Sequence, residues 1–252
     1  MSEEKILRVI FDGARSGAEN MAVDEAVLLA VNEGTAPMTL RFYRWSEPTI
    51  SLGYFQTYGQ FQDQDEDIRR LPLVRRQTGG GAILHDDEIT YSLVVSLQDK
   101  VPATDITDLY QLVHDAFIAV LGKRDVEVGY RGGQESGNSQ RGPFFCFARA
   151  HRLDLVLEGE KLLGSAQRRM KHAVLQHGSL ILGRHFAQQP SAELQPVIGT
   201  PFALDEILAD VTRQIGKELA LSVKKGELSD LESERTRELE AKYAGEVWNL
   251  QR

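Results

Sequence analysis

The stretch RRQTGGGAILHDDEITYSLVV, residues 75–95, sets two arginines ahead of three consecutive glycines, then a histidine and an acidic cluster, then an alternating run. Ile89, Tyr91, Leu93, Val95 and Leu97 fall on one face of a strand. A glycine loses more backbone freedom on folding than any other residue. Three of them at the mouth of a strand therefore imply a requirement. One is a tight bend or bulge. The other is a backbone that something approaches closely, its bare N–H groups able to meet an oxyanion or carbonyl, with Arg75 and Arg76 supplying charge. These residues alone leave both open. Two phosphate motifs fail on context. No Lys-Ser/Thr pair follows the glycines, as a phosphate loop needs, and they run into a strand-like segment where a dinucleotide fingerprint opens a helix.

Outward from this stretch the elements are plain. Residues 5–13, KILRVIFDG, read as a first strand. Residues 16–34 read as a helix with a Ser16/Glu19 capping box and Gly34 as its stop. MTLRFYRW and TISLGYF alternate at period two around a Ser-Glu-Pro turn. Leu109, Leu112, Val113, Ala116, Phe117 and Val120 have helical spacing, with Gly122 to end it. Residues 130–143 form a polar, glycine-rich loop. Residues 151–169 read as a hairpin turning at Glu158-Gly159, and residues 172–182 return as a strand. Ile207, Leu208, Val211, Ile215 and Leu219 mark an amphipathic helix, and a charged helix capped by Ser229 with Glu232 follows. Strands dominate the middle and helices lie at both ends, so the fold class is α+β. The expectation is one catalytic domain over 1–252 with a helical C-terminal segment from about 203 to 252.

The formal net charge of −8 argues against a general nucleic-acid binder. A lone cysteine, Cys146, forbids an intrachain disulfide and suits a reducing compartment. The N-terminus lacks an apolar signal core, and the longest apolar runs are too short to span a bilayer. The chain thus reads as cytoplasmic, with no membrane or nucleic-acid partner. HDDE at 85–88 suggests a metal at first sight, but strand alternation would splay these side chains to both faces, and His172 and His177 have opposite parity. No metal site is expected.

Arg75-Arg76-x-x-Gly79-Gly80-Gly81-x-Ile83-x-His85-Asp86 resembles the signature of the lipoate-protein ligase and octanoyltransferase family. A second block, GEKLLGSAQRRMKHAVLQHGSLIL at 159–182, is similar to that family's Gly-x-Lys-(two apolar)-Gly-Ser-Ala segment and its following His-Gly-(Ser/Thr)-Leu. ENMAVDEAVL, LRFYRWSEPTISLGYFQ and the closing AKYAGEVWNL resemble an octanoyltransferase branch, so the likeness spans nearly the whole chain. It implies a mainly antiparallel, mixed sheet around an acyl tunnel with flanking helices. The implied chemistry moves a medium-chain acyl group onto a lysine of a lipoyl carrier domain. Gly79, Gly80 and Gly81 would line the acyl and carbonyl pocket, with Arg75, Arg76, His85, Gly164, Ser165, Ala166, His177 and Gly178 as further substrate-binding residues.

On its own, a cysteine between Phe145 and Phe147 reads as a small buried hydrophobe. The resemblance reverses that. The octanoyltransferase branch carries a nucleophilic cysteine followed by phenylalanine shortly before the Gly-x-Lys segment, and Cys146-Phe147 matches. The ARAHRLDL that follows departs from the family's proline-serine pair. Exchange between thioesters is nearly isoenergetic, so a cysteine can take an acyl group from a carrier thiol and hold it without ATP. The thiolate is the reactive form, and a neighbouring cation favours it. Lys161 is the candidate cation. By itself it reads as a solvated lysine at a hairpin turn, but it shares strand parity with Leu163 and Ser165 and should face the same side as Ser165. The resemblance gives it the role of positioning the acyl carbonyl and taking a proton from the attacking amine. His85 and His177 are assigned to a hydrogen-bonding wall of the substrate site.

The expected donor is an octanoyl group on the phosphopantetheine of acyl carrier protein, and the acceptor a lipoyl-accepting protein such as the glycine-cleavage H protein, with no resident cofactor and a monomeric enzyme. Three competitors share the motifs: an amidotransferase between carrier domains, an ATP-dependent lipoate ligase, and a non-catalytic carrier-binding homologue. Both carriers are typically acidic, as is this chain, but Arg69, Arg70, Arg75, Arg76, Arg168, Arg169 and Lys171 cluster beside the two motifs. They read either as solvated hairpin tips or as a local docking patch.

Overall fold

A computed structural model describes residues 5–99, 105–133, 143–183, 188–198 and 201–252. The glycine-rich loop expected over 130–143 lies mostly outside them. The N-terminal half contains β1 (Ile6–Arg15), α1 (Gly17–Glu33), β2 (Met38–Trp45), β3 (Thr49–Leu52), two short helices α2 (Tyr58–Gln62) and α3 (Glu66–Arg69), then β4 (Leu73–Arg75), β5 (Ile83–His85) and β6 (Glu88–Ser96). The rest contains α4 (Ile106–Gly122), β7 (Val128–Tyr130), β8 (Leu155–Leu157), β9 (Glu160–Arg169), β10 (Ala173–Ile181), α5 (Gln195–Ile198), α6 (Pro201–Glu218), β11 (Ser222–Lys225), α7 (Asp230–Ala244) and α8 (Glu246–Asn249).

Eight strands make one mixed sheet in the order β11-β1-β2-β6-β10-β9-β8-β7. It is antiparallel from β2 to β7, while β1 runs parallel to both β2 and β11. Alternation sorts its residues between two layers. Leu40, Leu93 and Val174 pack with Leu109 and Val113 of α4 and Ile207 and Val211 of α6. Val94, Ala173 and Leu175 face Val23, Val27 and Leu28 of α1, and α7 packs outside α1. The helix signals hold: Ser16 and Glu19 form the reciprocal cap of α1, and Gly34 ends it with a φ of 74°. Gly122 is instead the last helical residue of α4, and Lys123 closes it in right-handed geometry. The hairpin turns where expected, with φ of 53° at Glu158 and 85° at Gly159, the pair of positive values that a two-residue type I′ turn demands.

Two departures from the sequence reading position the site. First, the strand-like run from Ile83 to Leu97 is two strands in two sheets. β5 pairs with β3 in a small three-stranded sheet, order β4-β3-β5, and the chain turns at Asp86-Asp87 to enter β6 of the large one. His85 and Glu88 are therefore not splayed but hydrogen-bonded, Nδ1 to Oε1 at 2.9 Å. Second, β9 carries an extra residue against β8, since Leu155 pairs with Leu163 but Val156 with Lys161. This bulge breaks the parity argument. Leu162 and Leu163 both enter the core, Ser165 bonds toward β6 and α4, and Lys161 folds instead over Gly164.

Candidate active site

The segment carrying Cys146 is stitched to the glycine loop by its backbone. Ala82 N donates to Phe144 O at 2.8 Å, and Cys146 N donates to Ala82 O at 2.7 Å. Gly81 makes this approach possible, because a Cβ there would stand 2.9 Å from both Cys146 N and Phe144 O. Gly80 has a φ of 96° and lines the cavity, with Cys146 Sγ 3.8 Å from where its Cβ would be. Gly79 is different: a Cβ there meets only the Phe55 ring, at 3.8 Å. Gly81 thus serves a close backbone crossing and Gly80 a left-handed bend, and the nucleophile candidate sits on that crossing.

Lys161 reaches the same point from β9. Its Nζ lies 3.9 Å from Cys146 Sγ and 3.0 Å from Asp154 Oδ1, and 4.9 Å over the Phe147 ring. At 2 % exposure it is no solvated turn residue. A buried ammonium needs a partner, and Asp154 supplies one, its other oxygen accepting from His151 N at 2.9 Å. The missing side chain of Gly164 leaves room for the lysine stem. Sequence reading passed over Asp154; the available signal was one acid between Leu153 and Leu155 in an otherwise apolar strand approach.

Cys146 opens onto a cavity between the glycine loop and strands β9 and β10. Its apolar wall includes Met21, Trp45, Ile83 and Phe147, and Gly164, Ser165, Ala166 and Gly178 line it from β9 and β10. His85 and His177 line it too. His85 stacks on Trp45 with centroids 3.7 Å apart, and burial lowers its pKa. His177 Nδ1 lies 3.2 Å from Asp24 Oδ2. Asp24, from α1, stays ionised: burial pushes its carboxyl up, but the bond with His177 and the charge of Arg41 outweigh that and leave it below the ordinary value.

Ser165 is held by a directed chain. Gln176 Nε2 donates to Tyr91 Oη at 2.7 Å, leaving the Tyr91 proton for Ser165 Oγ at 2.7 Å. Ser165 then donates to His114 Nε2 at 2.7 Å, and His114 Nδ1 donates to Leu153 O at 2.6 Å. Burial pushes the His114 pKa down to about 4, so a neutral imidazole closes the chain. His114 escaped the sequence reading because it sits at helical spacing within an apolar face of α4.

The two arginines part company. Arg76 lines the cavity. Arg75 does not reach it: its guanidinium donates to the carbonyls of Gly53, Gln56 and Asn249 at 3.1, 2.6 and 2.9 Å, tying the C-terminal segment to the loop after β3. Buried donors seek the nearest carbonyls, and here those belong to the protein. Arg75 thus holds backbone rather than lining the cavity, and neither arginine belongs to a surface patch, since both are buried.

Residues 16–189 match the model of the lipoyl protein ligase A/B catalytic domain. The chain is 32% identical to octanoyltransferase LipM of Kyrpidia tusciae over 97% of its own length and 98% of that protein's. It is 36% identical to octanoyltransferase LipM of Moorella thermoacetica, over 96% of each. In fold it is similar to protein Ta0514 of T. acidophilum solved with bound lipoic acid, with a TM-score of 0.77 at 24% identity covering 99% and 100% of the two chains. It is also similar to a lipoate-protein ligase A bound with ATP, with a TM-score of 0.76 at 24% identity and 98% of each chain. No helix among the described residues is long and apolar enough to cross a membrane. The chain belongs to the lipoyl protein ligase A/B catalytic-domain family and groups there with the LipM octanoyltransferases, which makes it an acyltransferase.

Proposed function

We propose that the protein moves an octanoyl group from acyl carrier protein to a lysine of a lipoyl-accepting protein, such as the glycine-cleavage H protein, through an acyl-Cys146 thioester. The observation that carries this reading is the Cys146–Lys161 pair at 3.9 Å, opening onto an apolar-walled cavity. A ligase that activates its acid with ATP has no use for a thiol paired with an ammonium.

The first step forms the Cys146 S–C bond and breaks the carrier's C–S bond. The carrier leaves as a thiolate and takes the proton that the Cys146 thiol gives up, so one thioester replaces another at little cost. In the second step the acceptor amine attacks the acyl-cysteine carbonyl. The C–N bond forms, the Cys146 C–S bond breaks, and the proton lost by nitrogen ends on sulfur. Lys161 enters as half of an ion pair with Asp154. It meets in turn the thiolate, the tetrahedral oxyanion and the departing thiolate, an electrostatic part that needs no reorganisation.

Octanoyl carrier protein and free octanoate with ATP, offered separately with an H-protein acceptor, test the reading. Acceptor octanoylation from the thioester alone is the expected outcome. Modification from free acid plus ATP, undiminished in Cys146→Ala, would make the protein a ligase.

A further inference from the structure

Arg76 lines the cavity yet has no hydrogen left for a ligand. A guanidinium carries five N–H groups, and the protein takes them all. Nε donates to Thr78 Oγ1 at 3.1 Å. One terminal nitrogen donates to Ser51 O at 2.9 Å and Ser51 Oγ at 3.1 Å. The other donates to Gly79 O and Gly81 O, both at 2.7 Å. Burial lowers its pKa to about 10, which leaves it charged at neutral pH.

The two hydroxyls gripping Arg76 are themselves gripped. Thr78 Oγ1 lies 2.7 Å from His177 Nε2, whose Nδ1 faces Asp24. Ser51 Oγ lies 2.7 Å from His85 Nε2, whose Nδ1 faces Glu88. Each hydroxyl oxygen accepts from Arg76 and lies within hydrogen-bond reach of an imidazole Nε2 whose ring Nδ1 faces a carboxylate. Two carboxylate–histidine–hydroxyl relays, built from distant parts of the chain, converge on one guanidinium.

What that guanidinium fixes is the glycine loop. In a trans peptide the C=O and the following N–H point to opposite sides. With the Gly79 carbonyl held by Arg76, the Gly80 N–H is turned away from it. With the Gly81 carbonyl held likewise, the Ala82 N–H is aimed at Phe144 O, the bond that brings in the Cys146 segment. Among the described residues, the N–H groups of Gly80 and Gly81 have no acceptor.

We propose that Thr78 and Ser51, each backed by its histidine, are positioning residues for acyl transfer: they hold Arg76 so that the glycine-loop amides meet the thioester carbonyl oxygen as it becomes an oxyanion at Cys146. The inference rests on the acyl-cysteine reading above. When sulfur attacks, the carbonyl π pair moves to oxygen, and it returns as the carrier thiolate leaves. Donors already aimed at that oxygen lower the barrier without touching the ground-state thiol.

Thr78→Val keeps the shape and removes the hydroxyl, and Thr78→Ser restores it. Ser51→Ala reaches the same guanidinium from the other side should Thr78→Val not fold. Two rates are measured on each: octanoylation of Cys146 by octanoyl carrier protein in a single turnover, and alkylation of Cys146 by iodoacetamide, which builds no oxyanion. Octanoylation is expected to fall about 10²-fold in Thr78→Val, in the range for a lost oxyanion donor. Alkylation and carrier KM stay at wild-type values, and Thr78→Ser recovers most of the octanoylation rate. Equal octanoylation in Thr78→Val and wild type overturns the relay alone, and so does an equal loss of both rates. Wild-type protein that alkylates but never octanoylates overturns the acyl-cysteine reading and this inference with it.

Discussion

Lys161 Nζ stands between Cys146 Sγ at 3.9 Å and Asp154 Oδ1 at 3.0 Å, in a site where the lysine and the aspartate are both nearly sealed from water. The lysine thus serves two partners, one chemical and one structural. Lys161→Met keeps the stem and removes the charge. Transfer should fall about 10²–10³-fold, as for a lost oxyanion-site cation or donor. Asp154, left buried without its partner, should cost about 3 kcal/mol of stability. Adding Asp154→Asn should recover much of the stability and none of the activity, read by denaturant melts beside transfer assays. Recovery of both together would make the pair purely structural.

The neighbouring glycines should behave differently. Gly81→Ala drives a methyl into the backbone of the Cys146 segment, and Gly80→Ala strains a φ of 96°. Both should lower stability and activity. Gly79→Ala meets only the Phe55 ring at 3.8 Å, so its melting temperature should stay within a few degrees of wild type, a change of about 1 kcal/mol or less. A Gly79→Ala protein as damaged as Gly81→Ala would contradict this picture of the loop.

His114 gives a pH signature. Its folded pKa of about 4 lies below the ordinary value of 6.5. Between those values the unfolded chain binds a proton that the folded one refuses, so stability rises with pH across that window and is lost as pH falls through it. The full effect is on the order of 3 kcal/mol. His114→Gln should be less stable at pH 7, because the ring that bridges Ser165 Oγ and the Leu153 carbonyl is lost, yet show a shallower decline from pH 6.5 to 4. His85, whose pKa burial also lowers, adds slope of the same sign in both proteins. Parallel stability curves for variant and wild type would remove His114 as their source.

Much of this site was legible in the chain. The Arg-Arg-x-x-Gly-Gly-Gly block, Cys146 and the Gly-x-Lys segment were separable by motif, and the structure brings Cys146, Lys161, Gly80, His85 and His177 to one place. What escaped depends on distant partners. Asp154 and His114 look like ordinary residues of apolar elements until the hairpin and α4 fold over the site. Arg75 and Arg76 are adjacent and chemically alike, and only the carbonyls around them decide that one ties down the C-terminal segment and the other grips the loop. The bulge at Lys161–Leu163 reversed a parity argument because alternation assumes an unbroken ladder. The Asp86-Asp87 turn hid because Ile83 and Ile89, on either side of it, share one strand parity.

With Arg75 and Arg76 buried, the basic residues left to meet an acidic carrier include Arg168 and Arg169 at the exposed end of β9. Arg168 also lies 5.7 Å over the Tyr54 ring. Reversing both to Glu should raise carrier KM several-fold and leave Cys146 alkylation unchanged. Added salt should weaken wild-type docking, as the Debye length falls from ~10 Å at 0.1 M to ~3 Å at 1 M. A salt-independent KM would return these arginines to ordinary surface charge.

The central claim is covalent. Purified protein mixed with octanoyl carrier protein, without ATP or acceptor, is analysed by intact mass spectrometry before and after hydroxylamine. The account predicts one octanoyl adduct, removed by hydroxylamine, mapped to Cys146, absent in Cys146→Ala, and lost when the acceptor is added. Acceptor octanoylated by Cys146→Ala at the wild-type rate, with no adduct ever seen on the enzyme, would contradict it.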